Sequence, residues 1–79
     1  MNIKRLPNRD FNNMLEIELG SKIKKAREEC GLSQTELANL MNYKTSVPVH
    51  YWEVNERMIS AVDLWKVSQI TKLPITFFI

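Results

Sequence analysis

The sequence predicts an all-α protein, built as a compact bundle of five short helices. Apolar side chains recur at helical spacing in successive segments, the connections between the segments are short, and no segment shows the two-residue alternation of a strand. The 79 residues are 44% hydrophobic and 25% charged, which is typical of one globular domain. A domain of this size buries only roughly 60% of the surface that its unfolded chain exposes, so we expect marginal stability or a stabilising partner.

The first helix is expected from about Asn13 to Cys30. Gly31 follows it at the position where a glycine commonly ends a helix. Gly20 lies inside the segment, where glycine costs about 1 kcal/mol relative to alanine, so it indicates either close packing against another element or a later helix start.

Residues 1–13 are expected to form a basic N-terminal arm or extension ahead of a domain at residues 14–79. Residues 1–9 lack helical periodicity and contain Pro7, which favours an extended conformation. Three basic side chains would be displayed there: Lys4, Arg5 and Arg9. Two alternatives stay open for this segment, namely disorder and contact with DNA.

A capping box predicts the start of the second helix. Ser33 precedes the helical pattern and Glu36 follows three residues later, so that the Ser33 hydroxyl and the Glu36 carboxylate can each accept from the other residue's amide. The helical pattern then continues through four apolar residues, Leu37, Ala38, Leu40 and Met41.

A third helix is expected directly after a polar break at residues 42–46. Thr45 or Ser46 can cap it, and Pro48 is tolerated only in its first turn, where no intrahelical amide bond is lost. Val49 and Trp52 share its inner face. Two capped helices joined by a short polar connection are typical of a helix-turn-helix.

The remaining chain predicts a fourth helix and a short fifth one. Ser60 and Asp63 form a second start of the capping-box type, and Leu64 and Val67 follow on one face. Trp65 is expected at the core edge or in a dimer contact. Residues 75–79 are very apolar, so they either fold back on the bundle or meet a second copy.

Charge and composition narrow the classes of function. Residues 1–27 carry seven Lys and Arg against three Asp and Glu, a net charge of +4, whereas residues 28–79 carry four against six, a net charge of −2. The basic part fits a polyanionic partner or, equally, a solvated helix face. One cysteine and one histidine give no disulfide and no metal-ligand set, and no arrangement suggests catalysis, so we expect neither an enzyme nor a cofactor.

Two further expectations concern location. No apolar run approaches the roughly 20 residues that span a membrane, so no membrane association is expected. The N-terminal residues lack the apolar core and cleavage site of a secretory signal. A cytoplasmic protein is therefore expected.

From about residue 16 to residue 79 the chain resembles the lambda-repressor-like, Cro/C1-type (XRE family) helix-turn-helix domains. The resemblance rests on an ordered set of residues: Leu19, Gly20, Ile23, Arg27, Gly31, Leu32, Ser33, Gln34, Glu36, Leu37, Ala38, Trp52, Glu53, Arg57, Leu64, Val67 and residues 74–78. Each residue alone is a weak indication, but the ordered set is specific. The resemblance implies a five-helix fold and a small DNA-binding regulator, of repressor or controller type, from a bacterium or phage.

The resemblance also implies roles for individual residues. Arg27 and Glu53 correspond to a structural ion pair, and Gln34 to a glutamine that bonds a DNA phosphate. The third helix would lie in the major groove. The full set of implied DNA-binding residues is Gln34, Lys44, Thr45, Ser46, Val47, His50, Tyr51 and Arg57.

The expected reading surface departs from the family pattern at two places. The interval from Gln34 to Glu53 is one residue longer than the commonest spacing, and Pro48 replaces a residue that is usually polar. The first turn of the third helix also lacks arginine, asparagine and glutamine. Specificity would then come from Val47 against a thymine methyl, from Thr45, Ser46 and Tyr51 bonding bases or phosphates, or from DNA shape.

Two functions are compatible with these features. The first is a regulator that binds double-stranded DNA as a homodimer and reads an inverted repeat, controlled by its concentration or by a regulatory protein partner. The second is a protein-interaction module or antitoxin that keeps the fold with weak or no DNA binding. Pro48 and the net charge of −2 on residues 28–79 favour the second.

Overall fold

A computed structural model describes the backbone of residues 8–79 and the side chains of residues 18–79. Across residues 8–79 all regular secondary structure is helical, which confirms the all-α bundle. The five helices are α1 (Asn8–Glu29), α2 (Gln34–Leu40), α3 (Val47–Glu53), α4 (Ala61–Thr71) and α5 (Ile75–Phe78).

The first helix begins earlier than the sequence pattern indicated. We expected a start near Asn13 after an extended segment, whereas α1 begins at Asn8, so residues 8–13 are helical. The reason is that a proline restricts the residues before it and leaves the chain after it free to form a helix. Lys4, Arg5 and the side chain of Arg9 lie outside the described residues, and their contact with DNA stays a prediction.

The core lies where four helices meet. The largest fully buried side chains are Ile23, Leu37, Val49 and Val67, one from each of α1 to α4. Helix α1 packs against α3, α4 and α5, and α2 packs against α3. Phe78 is also buried and Phe77 packs against the core, so this part of the C-terminal segment folds back on the bundle, whereas Ile75 and Ile79 are exposed.

The predicted signals at the ends of α1 and α2 are present. Gly31 has φ 73° and follows the end of α1, where the Leu32 amide donates to the Arg27 carbonyl at 3.1 Å. The Ser33 hydroxyl accepts from the Glu36 amide at 3.0 Å, and the Glu36 carboxylate accepts from the Ser33 amide at 2.8 Å. These two bonds confirm the capping box, and the bond from the Ser33 amide to the carboxylate lowers the pKa of Glu36.

Gly20 marks a close approach between α1 and the end of α3. A Cβ at this position would lie 2.7 Å from the Trp52 carbonyl oxygen, 3.0 Å from that of Glu53 and 2.5 Å from Oδ1 of Asn55. Of the two alternatives for this glycine, close packing is the one observed. The absence of a side chain therefore helps to set the position of α3.

Candidate nucleic-acid interface

A buried ion pair attaches α3 to α1. Arg27 Nε donates to Oε2 of Glu53 at 2.7 Å and Nη2 donates to Oε1 at 3.1 Å, so the contact is bidentate. Arg27 Nη1 donates to the Leu32 carbonyl at 2.7 Å. Both charged residues are buried, and the hydrogen bond to Glu53 raises the pKa of Arg27. The structure therefore brings together the two residues that the resemblance implied as a pair.

Gln34 joins this pair from the first turn of α2. Its side-chain Nε2 donates to Oε1 of Glu53 at 3.0 Å, a bond that the sequence did not suggest. The Glu53 carboxylate therefore accepts three hydrogen bonds from Arg27 and Gln34 together. Because an amide nitrogen carries two hydrogens, Gln34 retains one further donor beside the surface.

Asn42 makes the turn between α2 and α3. It has φ 70°, in the left-handed region, and the Asn42 and Tyr43 amides donate to the carbonyls of Asn39 and Ala38 at 3.0 and 2.9 Å. This is the bonding pattern with which a glycine or asparagine ends a helix. The turn is thereby fixed before the chain reaches α3.

Tyr43 connects the same turn to α3 and α4. Its hydroxyl donates to Oδ2 of Asp63 at 2.6 Å, and its ring meets Trp52 edge-on with 5.9 Å between centroids. The hydrogen bond to the carboxylate raises the pKa of the phenol. Sequence reasoning missed this role, although an aromatic residue in an otherwise polar turn was an available signal.

The entry into α3 lies at the surface. Lys44 and Thr45 are exposed, Ser46 is half-buried and Val47 is 48% exposed. The Thr45 hydroxyl accepts from the Val47 amide at 3.3 Å, whereas the Ser46 side chain makes no capping bond. Of the two residues that could cap α3, Thr45 is therefore the one that bonds its first amide. Pro48 lies in the first turn, as its chemistry requires.

The outer face of α3 carries two ring side chains and a nearby guanidinium. His50 is exposed and Tyr51 half-buried, and their ring centroids are 6.1 Å apart. The Arg57 guanidinium carbon lies 5.2 Å from the centroid of the Tyr51 ring, within range of a cation–π interaction. This contact brings Arg57, from the connection after α3, to the same face as Tyr51. It was not foreseen from the sequence, because it depends on how that connection turns back.

The charge around this face suits a polyanion. No Asp or Glu occurs from Leu37 to Trp52, while Lys44 lies within that interval and Arg57 lies beside α3. Glu53, at the end of α3, is buried and paired with Arg27. The outer face of α3 therefore has few polar groups and is flanked by a basic rim of Lys44 and Arg57, with the acidic Glu56 exposed next to Arg57.

A second surface lies between α2 and α4. Leu40 is 60% exposed and Trp65 is 57% exposed, and they flank a groove that Met41 and Ile70 also line. Trp65 is thus a surface residue and does not lie at the core edge. The expected dimer contact at Trp65 stays a prediction.

Two properties of the described part of the chain concern membrane insertion and metal binding. None of its helices is both long and apolar enough to cross a membrane. Its side chains include no group of three or more His, Cys, Asp or Glu that could hold a metal ion.

Comparison with known protein families identifies a match. A protein-family model described as helix-turn-helix matches residues 23–78, which is well over half of the chain. The matched region begins within α1 and ends with α5, and it includes all the candidate DNA-contacting residues from Gln34 to Arg57. A search of curated proteins returns no match.

Proposed function

Because this chain belongs to the Cro/C1-type (XRE) helix-turn-helix family of DNA-binding regulators, with the lambda-repressor-like fold, we propose that it regulates transcription as a sequence-specific repressor or controller. It binds double-stranded DNA as a homodimer and reads an inverted-repeat operator. It acts in the cytoplasm, which contains the bacterial or phage DNA.

The observation that carries this proposal is the outer face of α3 with its basic rim. Helix α3 is attached to α1 and α2 through Glu53, which leaves Val47, His50 and Tyr51 on the outer face. To read the major groove, a helix must be held in a fixed position with its outer face accessible. Val47 and Tyr51 are proposed to read bases, and His50 is proposed to lie nearer the DNA backbone.

The residues around this face supply phosphate contacts. Lys44 and Arg57 bind phosphates through charge, and Thr45 and Ser46 bind bases or phosphates through their hydroxyls. Gln34 donates its second side-chain amide hydrogen to a phosphate, while the first remains hydrogen-bonded to Glu53. Such contacts orient the domain and make its affinity depend on salt.

The length of α3 supports a dimer. Its 7 residues span about 10 Å, which matches only about three base pairs of B-DNA. One domain thus reads too few bases to define an operator. Two copies related by a twofold axis, with α3 helices about 34 Å apart, read two half-sites.

Selection of bound sequences from a random DNA pool tests this function. We expect an inverted repeat to be enriched, with a Kd that rises steeply between low and moderate salt. Enrichment of no sequence, together with undetectable binding to any DNA at low salt, would refute the proposal.

Two substitutions then separate base reading from phosphate binding on the selected operator. Tyr51→Ala should change the preferred sequence, whereas Lys44→Ala should weaken binding to all sequences and lower the salt slope by about one. Both residues are at least partly exposed, so neither change should unfold the domain. Circular dichroism provides the control for folding.

A second candidate function rests on the groove between α2 and α4. Its exposed Leu40 and Trp65 suit a protein contact, as in an interaction module or an antitoxin. If this function is the correct one, Trp65→Ala abolishes capture of a partner, while Tyr51→Ala has no effect. Sequence-specific DNA binding whose preferred sequence changes in Tyr51→Ala favours the regulator.

A further inference from the structure

We propose that Val47 reads a thymine through its 5-methyl group, so that each operator half-site carries a thymine opposite the first turn of α3. The inference rests on the proposed DNA-binding function and names the base that this reading face prefers.

Val47 presents an apolar surface that is already ordered in the free protein. It is the first residue of α3 and is 48% exposed, and its amide donates to the Thr45 hydroxyl at 3.3 Å. Pro48 follows with its fixed φ, and a β-branched valine in a helix has one strongly preferred rotamer. Little conformational entropy is therefore lost when this side chain meets a base.

The rest of α3 offers no stronger means of discrimination. Its seven residues include no arginine, lysine, asparagine or glutamine, the side chains that make bidentate contacts with guanine or adenine. Val49, Trp52 and Glu53 are buried. Tyr51 and His50 remain, and each offers one hydroxyl or ring nitrogen to a polar contact, without the bidentate geometry that distinguishes bases.

The major groove contains one apolar group that matches such a surface. Among the four bases only thymine projects a methyl group there, while the other edges present hydrogen-bond donors and acceptors. A valine facing any of those edges would desolvate a polar atom without a partner. The basic rim of Lys44 and Arg57, with no acidic residue from Leu37 to Trp52, favours the approach of DNA to this face.

Replacement of thymine by deoxyuridine tests the inference, because it removes only the methyl group. In the selected operator, each thymine is replaced in turn, first in one half-site and then symmetrically, and the Kd is measured. At one thymine position of the half-site, we expect the affinity to fall about fourfold when the methyl is removed from one half-site. It should fall about fifteenfold when the methyl is removed from both half-sites.

The matched variants are Val47→Ser and Val54→Ser. Val54 is also a valine of almost the same exposure, 47%, and lies just beyond the opposite end of α3. Val47→Ser should bind the thymine and deoxyuridine operators equally, whereas Val54→Ser should keep the fourfold difference. Because both side chains are exposed, both variants should keep the helical circular dichroism spectrum of the parent.

The possible failures are distinct. An operator that is selected and bound but indifferent to deoxyuridine at every thymine overturns the inference and leaves the DNA-binding function standing. Sensitivity that persists in Val47→Ser assigns the methyl contact to another residue and also overturns it. Failure to select any DNA overturns both proposals.

Discussion

The buried pair of Arg27 and Glu53 allows a quantitative prediction about how α3 is held. Arg27→Met keeps much of the side-chain volume but removes two hydrogen bonds to Glu53 and one to Leu32. It leaves a buried carboxylate whose remaining hydrogen-bond donor is Gln34. Breaking a buried ion pair from one side costs about 3–5 kcal/mol.

That cost is large for a domain of this size. At about 0.05–0.15 kcal/mol per residue, a chain of 79 residues has a total stability of about 4–12 kcal/mol. Arg27→Met should therefore remove from a quarter of the stability to all of it. The double variant Arg27→Met with Glu53→Leu, which leaves no unpaired charge, should recover most of the loss.

Urea unfolding followed by tryptophan fluorescence, to which buried Trp52 contributes, measures these differences. The Gln34→Ala variant serves as a graded control, since it removes one of three hydrogen bonds to Glu53 and should cost about 1 kcal/mol. A change below about 1 kcal/mol in Arg27→Met would refute the reasoning, because the pair would then behave as an exposed one. So would a double variant no more stable than Arg27→Met.

Three further predictions concern other parts of the fold. Gly20→Ala should lower the stability by about 1–2 kcal/mol in thermal unfolding, because its Cβ would lie 2.7 Å from an α3 carbonyl; an unchanged melting temperature would contradict this. Lys72→Gly should raise the stability by about 0.5–1 kcal/mol, since Lys72 has φ 60°; a loss would contradict it. Tyr43 should ionise above its usual pKa of 10.0 because it donates to Asp63, and Asp63→Asn should lower that pKa in an ultraviolet titration with Tyr51→Phe as background. Its pKa is raised by folding, so this contribution to stability is present below the unfolded pKa of about 10 and is lost as the pH rises through the folded value; a pKa that does not respond to Asp63→Asn would contradict this.

Local signals in the sequence predicted much of the framework. The capping box of Ser33 and Glu36, the helix end at Gly31 and the place of Pro48 each depend on a few consecutive residues. Their physical causes act within one helical turn, so the sequence pattern is sufficient to find them. The start of α1 at Asn8 differs from the sequence prediction, because a proline restricts the residues before it and not the chain after it.

The contacts that build the candidate interface were less accessible to sequence reasoning. Gln34 meets Glu53 across 19 positions and Tyr43 meets Asp63 across 20, so both contacts depend on how the helices pack. The stacking of Arg57 on Tyr51 likewise depends on the return of the connection after α3. Periodicity and capping rules contain no information on these distances.

The central claim is that the outer face of α3 contacts DNA, and amide chemical shifts of the isotope-labelled protein test it most directly. On titration with the selected operator, we expect the largest changes at Lys44, Val47, His50 and Tyr51. Changes confined to the groove of Leu40 and Trp65, with none on α3, would contradict the claim.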